Sequence, residues 1–459
     1  MSKKTVVIIG GGFSGSVCAA QLLRQEDGPE IRVVLVNRGG RMARGIAYGT
    51  RSEVHVLNVP AGQMSAYPDD PDHFLRYARA QDEHVRPSSF VQRRMYGDYL
   101  EWLLVEACAG GGARNALERR EAHAVAVERC TGDGLFVTLE GGERLRADAV
   151  VLALGNYAPA DPSGAAPGVL AGPRYVRDPW APGALEAVGP DEPVLLLGTG
   201  LTMYDVALDL TRRGRRAPLY ALSRRGLLPQ AHRTSVPLHA DLPPLDLDSG
   251  SPSARGYLRA VRQHVRQLGS EGIDWRHSIA ALRPRTAALW QALDEVERRR
   301  FLRHLRPYWE VHRHRAAPEI ADAINALIAS GTLVVGRGRL LTLEATDAGI
   351  EGVFRAGSTL LRVRASRLIN CTGPGSDLAS QREPLLEALS RSGMLRPDPL
   401  GLGVETSAGL ELLDAAGHPQ PGLFYIGPLL RAQHWESTAV PELRAHAARL
   451  AEALRTRLA

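Results

Sequence analysis

Lysine is nearly missing from this chain: Lys3 and Lys4 are the only two, so almost all of the 56 basic residues are arginine. They are scattered among Ala, Gly and Pro over the whole length. Despite a net charge of +6, that scatter argues against a phosphate-tracking stripe and hence against nucleic acid as a partner. Guanidinium groups fork onto carboxylates and phosphates, so the arginine excess favours small anionic ligands locally. Cysteine is scarce too. Cys18, Cys108, Cys130 and Cys371 form no C-x-x-C and no metal-ligand spacing, which argues against a disulfide scaffold, a metal site and paired-thiol redox chemistry. No apolar run approaches the roughly 20 residues that span a bilayer. The run Val6–Ile9 breaks at once into glycines, unlike a secretory leader. A cytoplasmic protein without a membrane is expected, and the oligomeric state, a homo-oligomer included, is left open.

What is present is a large apolar share, 44% of 459 residues, enough for two or three cored domains. Thr5–Ile9 is a continuous β-branched run of the kind buried on both faces of a parallel sheet. Gly10-Gly11-Gly12-Phe13-Ser14-Gly15 follows, then a helical pattern at Val17–Leu23 and a second buried run at Ile31–Val36. This is the opening of a Rossmann unit. In it Gly10 makes the tight turn, Gly12 lets backbone approach a pyrophosphate, and Gly15 lets helix and strand pack closely.

The same order returns after a Pro/Gly/Ala-rich stretch between Tyr157 and Pro193, read as a linker. Val194–Leu197 precedes Gly198-Thr199-Gly200-Leu201-Thr202, then a helix over Met203–Arg212 and a strand over Leu219–Leu222. Here Thr202, a hydroxyl donor, stands where a third glycine is usual. Further strands end at Gly155, Gly373 and Gly427, where backbone must pass close to a ligand. The fold class expected is α/β with two Rossmann-like dinucleotide-binding domains, the NAD(P)-binding one inserted into the FAD-binding one. The boundaries expected are 1–160 for the first part of the FAD domain, 190–335 for the NAD(P)H domain with its helical region, and 336–459 for the return.

The ends of the second strands tune ligand choice. An acid commonly binds the adenosine ribose there. The first unit has Asn37 followed by Arg38, and the second has Ser223-Arg224-Arg225. Arg224 and Arg225 suit a ribose 2′-phosphate or are solvated loop charges, so NADH and NADPH both stay open. His304, His312 and His314 lie among the arginines of Arg298–Arg315 without a metal-like partner, as a basic solvated helix face would.

Several longer motifs are similar to a bacterial FAD/NAD(P)-binding monooxygenase family that includes FAD-dependent urate hydroxylase and L-aspartate N-monooxygenase. They are Arg44-Gly45-Ile46-Ala47-Tyr48, Leu57-Asn58-Val59-Pro60-Ala61, Met64-Ser65, Pro68-Asp69-Asp70-Pro71 with His73-Phe74, Asp178-Pro179-Trp180, Gly198–Asp205, Ser223–Pro229 and Trp435–Pro441. The resemblance runs from Val6 to Arg444. The F-x-G-x-x-x-H motif of Baeyer–Villiger enzymes is absent, which sets the chain apart from that group.

The resemblance implies a flavoenzyme in which NAD(P)H reduces FAD and O2 supplies one oxygen atom to a small polar, nitrogen-rich substrate. Urate, hydroxylated to 5-hydroxyisourate, is the expected substrate. Aspartate or another amine is the alternative, and a flavin-linked dehydrogenase or a non-catalytic flavin-binding protein are further rivals. By position, Asn58 and Met64 should face the flavin, and Thr438 should sit by the final helix near its pyrimidine end. His55, Gln63 and His434 are candidates for holding substrate, with Arg93 and Arg94 beside them. Because Asn37 lacks the charge of an acid, FAD is expected to be held loosely: extensive dialysis should strip flavin from the purified protein. Stoichiometric FAD surviving dialysis would contradict that expectation.

Overall fold

The computed structural model describes residues 3–25, 27–110, 114–233 and 242–459. The chain divides into two compact units: Met1–Tyr157 with Ser376–Ala459, and Ala158–Gly375.

In the first unit the strand Lys4–Ile9 lies between Ile31–Asn37 and Ala149–Leu152, parallel to both. Val6, Val7 and Ile8 are fully buried, in one core with the helix Phe13–Leu23 and with residues of the strands Ala124–Arg129 and Leu135–Leu139, and that is why the strand reads as an unbroken apolar run. Each such side chain contributes about 1.5–3 kcal/mol by leaving water. Pro419–Tyr425 and Glu411–Leu413 extend the sheet on one side and Ala116–Glu121 on the other. The helix Phe13–Leu23 is buried along its whole length. It shares its core with the last helix, Val440–Leu458, through residues such as Leu22 and Leu450. A separate three-stranded antiparallel sheet is built from Ala124–Arg129, Leu135–Leu139 and Arg144–Ala147.

The second unit has a five-stranded parallel sheet in the order Leu333–Arg337, Leu219–Ser223, Val194–Leu197, Arg367–Asn370, Tyr175–Val176. A three-stranded antiparallel sheet, Arg339–Thr346, Gly349–Ala356 and Thr359–Ala365, precedes the strand Arg367–Asn370. Between residues 254 and 329 the chain is mostly helical, as its sequence predicts.

Two boundaries differ from the sequence reading. The chain rejoins the first unit at Ser376, not at 336. The strands over 339–370 belong to the second unit, because the Arg367–Asn370 strand pairs in parallel with Val194–Leu197. The stretch read as a linker also contributes to that unit. It forms the short helix Pro167–Leu170 and supplies the edge strand Tyr175–Val176, paired with Leu368 and Ile369. No helix among the described residues is long and apolar enough to cross a membrane.

Candidate dinucleotide-binding sites

Each unit makes its glycine turn in the same way. Gly10 has φ +113° and Gly198 φ +103°, a region L side chains rarely adopt. Gly10 N donates to Val36 O and Gly198 N to Leu222 O, both at 2.8 Å. A Cβ on Gly10 would lie 2.1 Å from Ala153 O, and one on Gly198 2.5 Å from Cys371 O. Both positions are therefore demanded by the neighbouring strand. Gly15 is demanded by the turn itself, since a Cβ there would lie 1.9 Å from Gly10 O.

Gly12 and Gly200 are different. Each is the N-cap of its helix, with φ −83°, ψ −162° and φ −85°, ψ −167°, and neither helix has a side-chain cap or an acid in its first turn. A Cβ on Gly12 would meet only Gly45 Cα at 3.6 Å, and one on Gly200 would meet nothing within 4 Å. The packing around them does not require glycine there, and the space a Cβ would fill is open to an incoming group. Uncapped amides at the positive end of a helix dipole are a pyrophosphate cradle. At Gly155 and Gly373, with φ +70° and +91°, an added Cβ would likewise meet nothing within 4 Å. Gly427, at φ +129°, brings the end of a third strand to the first turn of the Phe13–Leu23 helix, where its Cβ would lie 3.8 Å from Ser14 Oγ. Gly10, Gly12, Gly155 and Gly427 thus line the strand ends of the first sheet, and Gly198, Gly200 and Gly373 those of the second. The residues present fit an FAD in the first cradle and a nicotinamide dinucleotide in the second.

Arg44 explains part of the first loop. Its side chain is 3% exposed, pairs with Asp98, and donates from Nε to Glu101 at 2.8 Å. Ala43 N donates to Gly11 O at 2.7 Å. The helix Arg93–Gly110 therefore holds the 43–49 segment over the glycine loop, and Gly97 leaves room for it, since a Cβ there would lie 2.8 Å from Arg44 Nη1. Asp98 and Glu101 were not singled out from sequence; an Arg in a motif gives no signal of where its acids lie.

Asn37 is occupied with the loop. Its Oδ1 accepts from Gly11 N at 3.2 Å and its Nδ2 donates to Gly39 O at 2.7 Å. Arg38 pairs at 3.0 Å with Glu383, which also bonds His123 Nε2 at 2.6 Å. The strand end that lacks an acid thus acquires one from a residue more than three hundred positions away. In the second unit, Thr199 joins Ser223 Oγ at 2.8 Å and Leu227 O at 2.6 Å, tying the Ser223–Pro229 motif to the glycine loop. Thr202 is partly exposed in the first turn of its helix.

Several expected site residues stand elsewhere. Met64 is 1% exposed, packed in the first core, so its side chain has no surface to offer a flavin. Arg225 stacks over Tyr308 at 5.0 Å and donates to its hydroxyl at 3.2 Å, whereas Arg224 is exposed. The two arginines expected to act together are therefore separated. His55 is buried, with Nδ1 2.7 Å from Thr50 Oγ1, and its carbonyl accepts from Arg93 N at 2.8 Å. Gln63, Arg94 and Thr438 are exposed and Asn58 is half-buried. His434 packs against His446, ring centres 4.8 Å apart. Among the described residues no cluster of His, Cys, Asp and Glu is arranged to hold a metal.

The architecture and its paired cradles define an FAD- and NAD(P)-binding protein of mixed α/β fold. Residues 7–157 match the model of a family described as FAD-NAD(P)-binding. Over 96% of its length the chain is 24% identical to an uncharacterized protein of Mycobacterium tuberculosis, covering 94% of that protein. It is 29% identical over 60% of its length to an L-aspartate N-monooxygenase (nitrosuccinate-forming) of Streptomyces davaonensis, and the match spans half of that enzyme. Among solved structures, L-lysine 6-monooxygenase from Pseudomonas syringae superposes with a TM-score of 0.67 over 99% of both chains at 16% identity. Ornithine hydroxylase from Pseudomonas aeruginosa gives 0.65 over the whole of both chains at 15% identity. At those identities the structures establish the shared fold.

The glycine geometry separates fold from binding. Gly12→Ala should leave the stability of the flavin-free protein within about 0.5 kcal/mol of wild type while weakening FAD by roughly tenfold, ~1.4 kcal/mol. Gly200→Ala should keep flavin and lose its reduction by NAD(P)H. Gly10→Ala should instead cost more than about 2 kcal/mol of stability. Flavin titration, stopped-flow reduction and denaturant melts check all three, and joint loss of flavin in Gly12→Ala and Gly200→Ala would refute two separate sites.

His446 carries a pH signature. Burial, with His434 and Arg449 adding repulsion, pushes its pKa from 6.5 down to about 3. Between those values the unfolded chain binds the extra proton, so stability is complete above about pH 6.5 and falls as pH drops towards 3, by up to ~1.4 kcal/mol per pH unit. Denaturant melts from pH 7 to 4 should show that slope, and His446→Gln should flatten it.

Proposed function

We propose that this protein is an FAD-dependent, NAD(P)H-consuming N-monooxygenase of a small amine or amino acid. The observation that carries the reading is the pair of open cradles at Gly12 and Gly200 on one chain, one for the flavin and one for its reductant. The L-aspartate N-monooxygenase relative and the lysine and ornithine hydroxylase folds support nitrogen as the atom oxidised. They favour the amine alternative over urate, which gains no support from them. The cysteines favour oxygen chemistry over thiol exchange: none is in a disulfide, and burial pushes Cys18 up to about 12 and raises Cys371 as well.

Bound FAD would take a hydride from NAD(P)H and pass reducing equivalents to O2. The balance is R–NH2 + O2 + NAD(P)H + H+ giving R–NHOH + H2O + NAD(P)+. The chain's own part is to bind and to exclude water. Helix-end amides at Gly12 and Gly200 hold the two pyrophosphates. Arg44, through Asp98 and Glu101, keeps the 43–49 segment on the flavin loop. His434 lies with His446 in a setting where burial and Arg449 lower its pKa, so it stays neutral near pH 7 and presents no competing positive charge.

The test is oxygen uptake and NAD(P)H oxidation by FAD-loaded protein with aspartate, ornithine, lysine or urate. A hydroxylamine product from one amine, absent without oxygen, is the expected outcome. Urate loss that requires both nicotinamide and oxygen, with every amine inert, would overturn the nitrogen reading. Oxidised substrate formed with an artificial acceptor under anaerobic conditions would overturn the oxygenase class.

A further inference from the structure

A group of arginines gathers in the second unit around residues 274–276 and 313–315. After the helix Arg306–Arg313, Ala316 clips onto the segment that follows Pro229: Ala316 N donates to Gln230 O and His232 N donates to Ala316 O, both at 2.9 Å. The clip pairs Ala231 with Ala316, the residue after Arg315. The Ala231 carbonyl in turn accepts from Arg276 Nη2 at 2.6 Å and Nε at 3.2 Å. Trp275 fixes this corner, with Arg276 over its ring at 4.5 Å and His312 packed edge-on at 4.9 Å.

One carboxylate serves the group. Asp274, its side chain 8% exposed, pairs with Arg233 at 2.5 Å and with Arg276 at 3.1 Å. Arg313 and Arg283 add positive charge around Arg315, and Asp274 offsets part of it. Arg315 has no hydrogen bond or ion pair among the described residues, and its Nε is buried without a partner. Arg315 is partly buried, and a buried donor without an acceptor is costly until a ligand, an ion or a water completes it. Burial first, then repulsion from Arg276 and Arg313, pushes the Arg315 pKa down to about 10. The group still carries its charge at neutral pH, and Asp274 offsets only part of the positive field around it.

We propose that Arg315, with Arg276 and Arg313 around Asp274, forms an oxyanion site for a small dianionic ligand. Arg315 supplies the buried unpartnered Nε donor, and its neighbours supply the positive field. Carboxylate and phosphate share the chemistry the site recognises. The first would come from an acidic amino acid, the second from a nucleotide.

The test reads binding alone, so it does not depend on the reaction assigned above. Thermal unfolding of the full-length protein is followed with succinate, with inorganic phosphate and with chloride at matched ionic strength. Wild type, Arg315→Met and Arg315→Lys are compared. A rise of about 3 °C over chloride is expected for wild type with at least one dianion. Arg315→Met should abolish the rise and leave the ligand-free protein at least as heat-stable as wild type, since it removes a buried unpaired charge. Arg315→Lys should keep part of the rise. A response to succinate alone assigns the site to a carboxylate ligand, and a response to phosphate alone to a nucleotide phosphate. No rise in wild type, an undiminished rise in Arg315→Met, or a marked loss of ligand-free stability in that variant would each overturn the proposal.

Discussion

The contact on which both units depend is between a backbone and a backbone: the turn after the first strand presses its glycine against a carbonyl of the adjacent parallel strand. At Gly10 the partner is Ala153 O and at Gly198 it is Cys371 O. Because no Cβ intervenes, the helix that follows starts close to the sheet and aims its first amides past the strand ends. The same closeness lets Ala153 N reach Ile9 O at 2.8 Å and Cys371 N reach Leu197 O at 2.7 Å. The ligand cradles at Gly12 and Gly200 therefore follow from a packing constraint two residues earlier. An uncapped helix end of this kind suits a pyrophosphate.

Around the first cradle, charge buried at low exposure does the holding. Arg44 at 3% exposed, with Glu101 and Asp98, fixes a segment with few apolar anchors of its own. Solvent reaches the two acids, Glu101 at 29% and Asp98 at 45% exposed, so losing one member costs less than in a fully buried set. The Arg38–Glu383–His123 chain is a looser version, its arginine 62% exposed, and contributes correspondingly less.

Much of this was legible in the sequence. Unbroken apolar runs reveal buried parallel strands here because a glycine turn and a helical pattern follow each of them. The final helix runs Val440–Leu458, as its pattern predicts. The strand Ala116–Glu121 was not legible: its residues are ALERRE at a sheet edge, where one side meets water and propensity says little. The return point was misplaced because an antiparallel meander has the same alternating pattern whichever domain owns it. Met64 illustrates a different limit. A motif shows that a residue type recurs at a position, yet burial alone distinguishes a cofactor wall from a core filler. Glu383 and Arg315 were invisible for a third reason, since both acquire meaning from partners far away in the chain.

The two units repeat one strand order. In the first, Ala149–Leu152, Lys4–Ile9, Ile31–Asn37 and Ala116–Glu121 lie side by side; in the second, Arg367–Asn370, Val194–Leu197, Leu219–Ser223 and Leu333–Arg337 do so. In both, a three-stranded meander is spliced into the chain just before the strand that flanks the glycine turn. A device copied so closely has no means of telling one dinucleotide from another at its centre. What differs between the two copies stands at the rim: Asn37 and Arg38 at one strand end, Ser223 and Arg224 at the other.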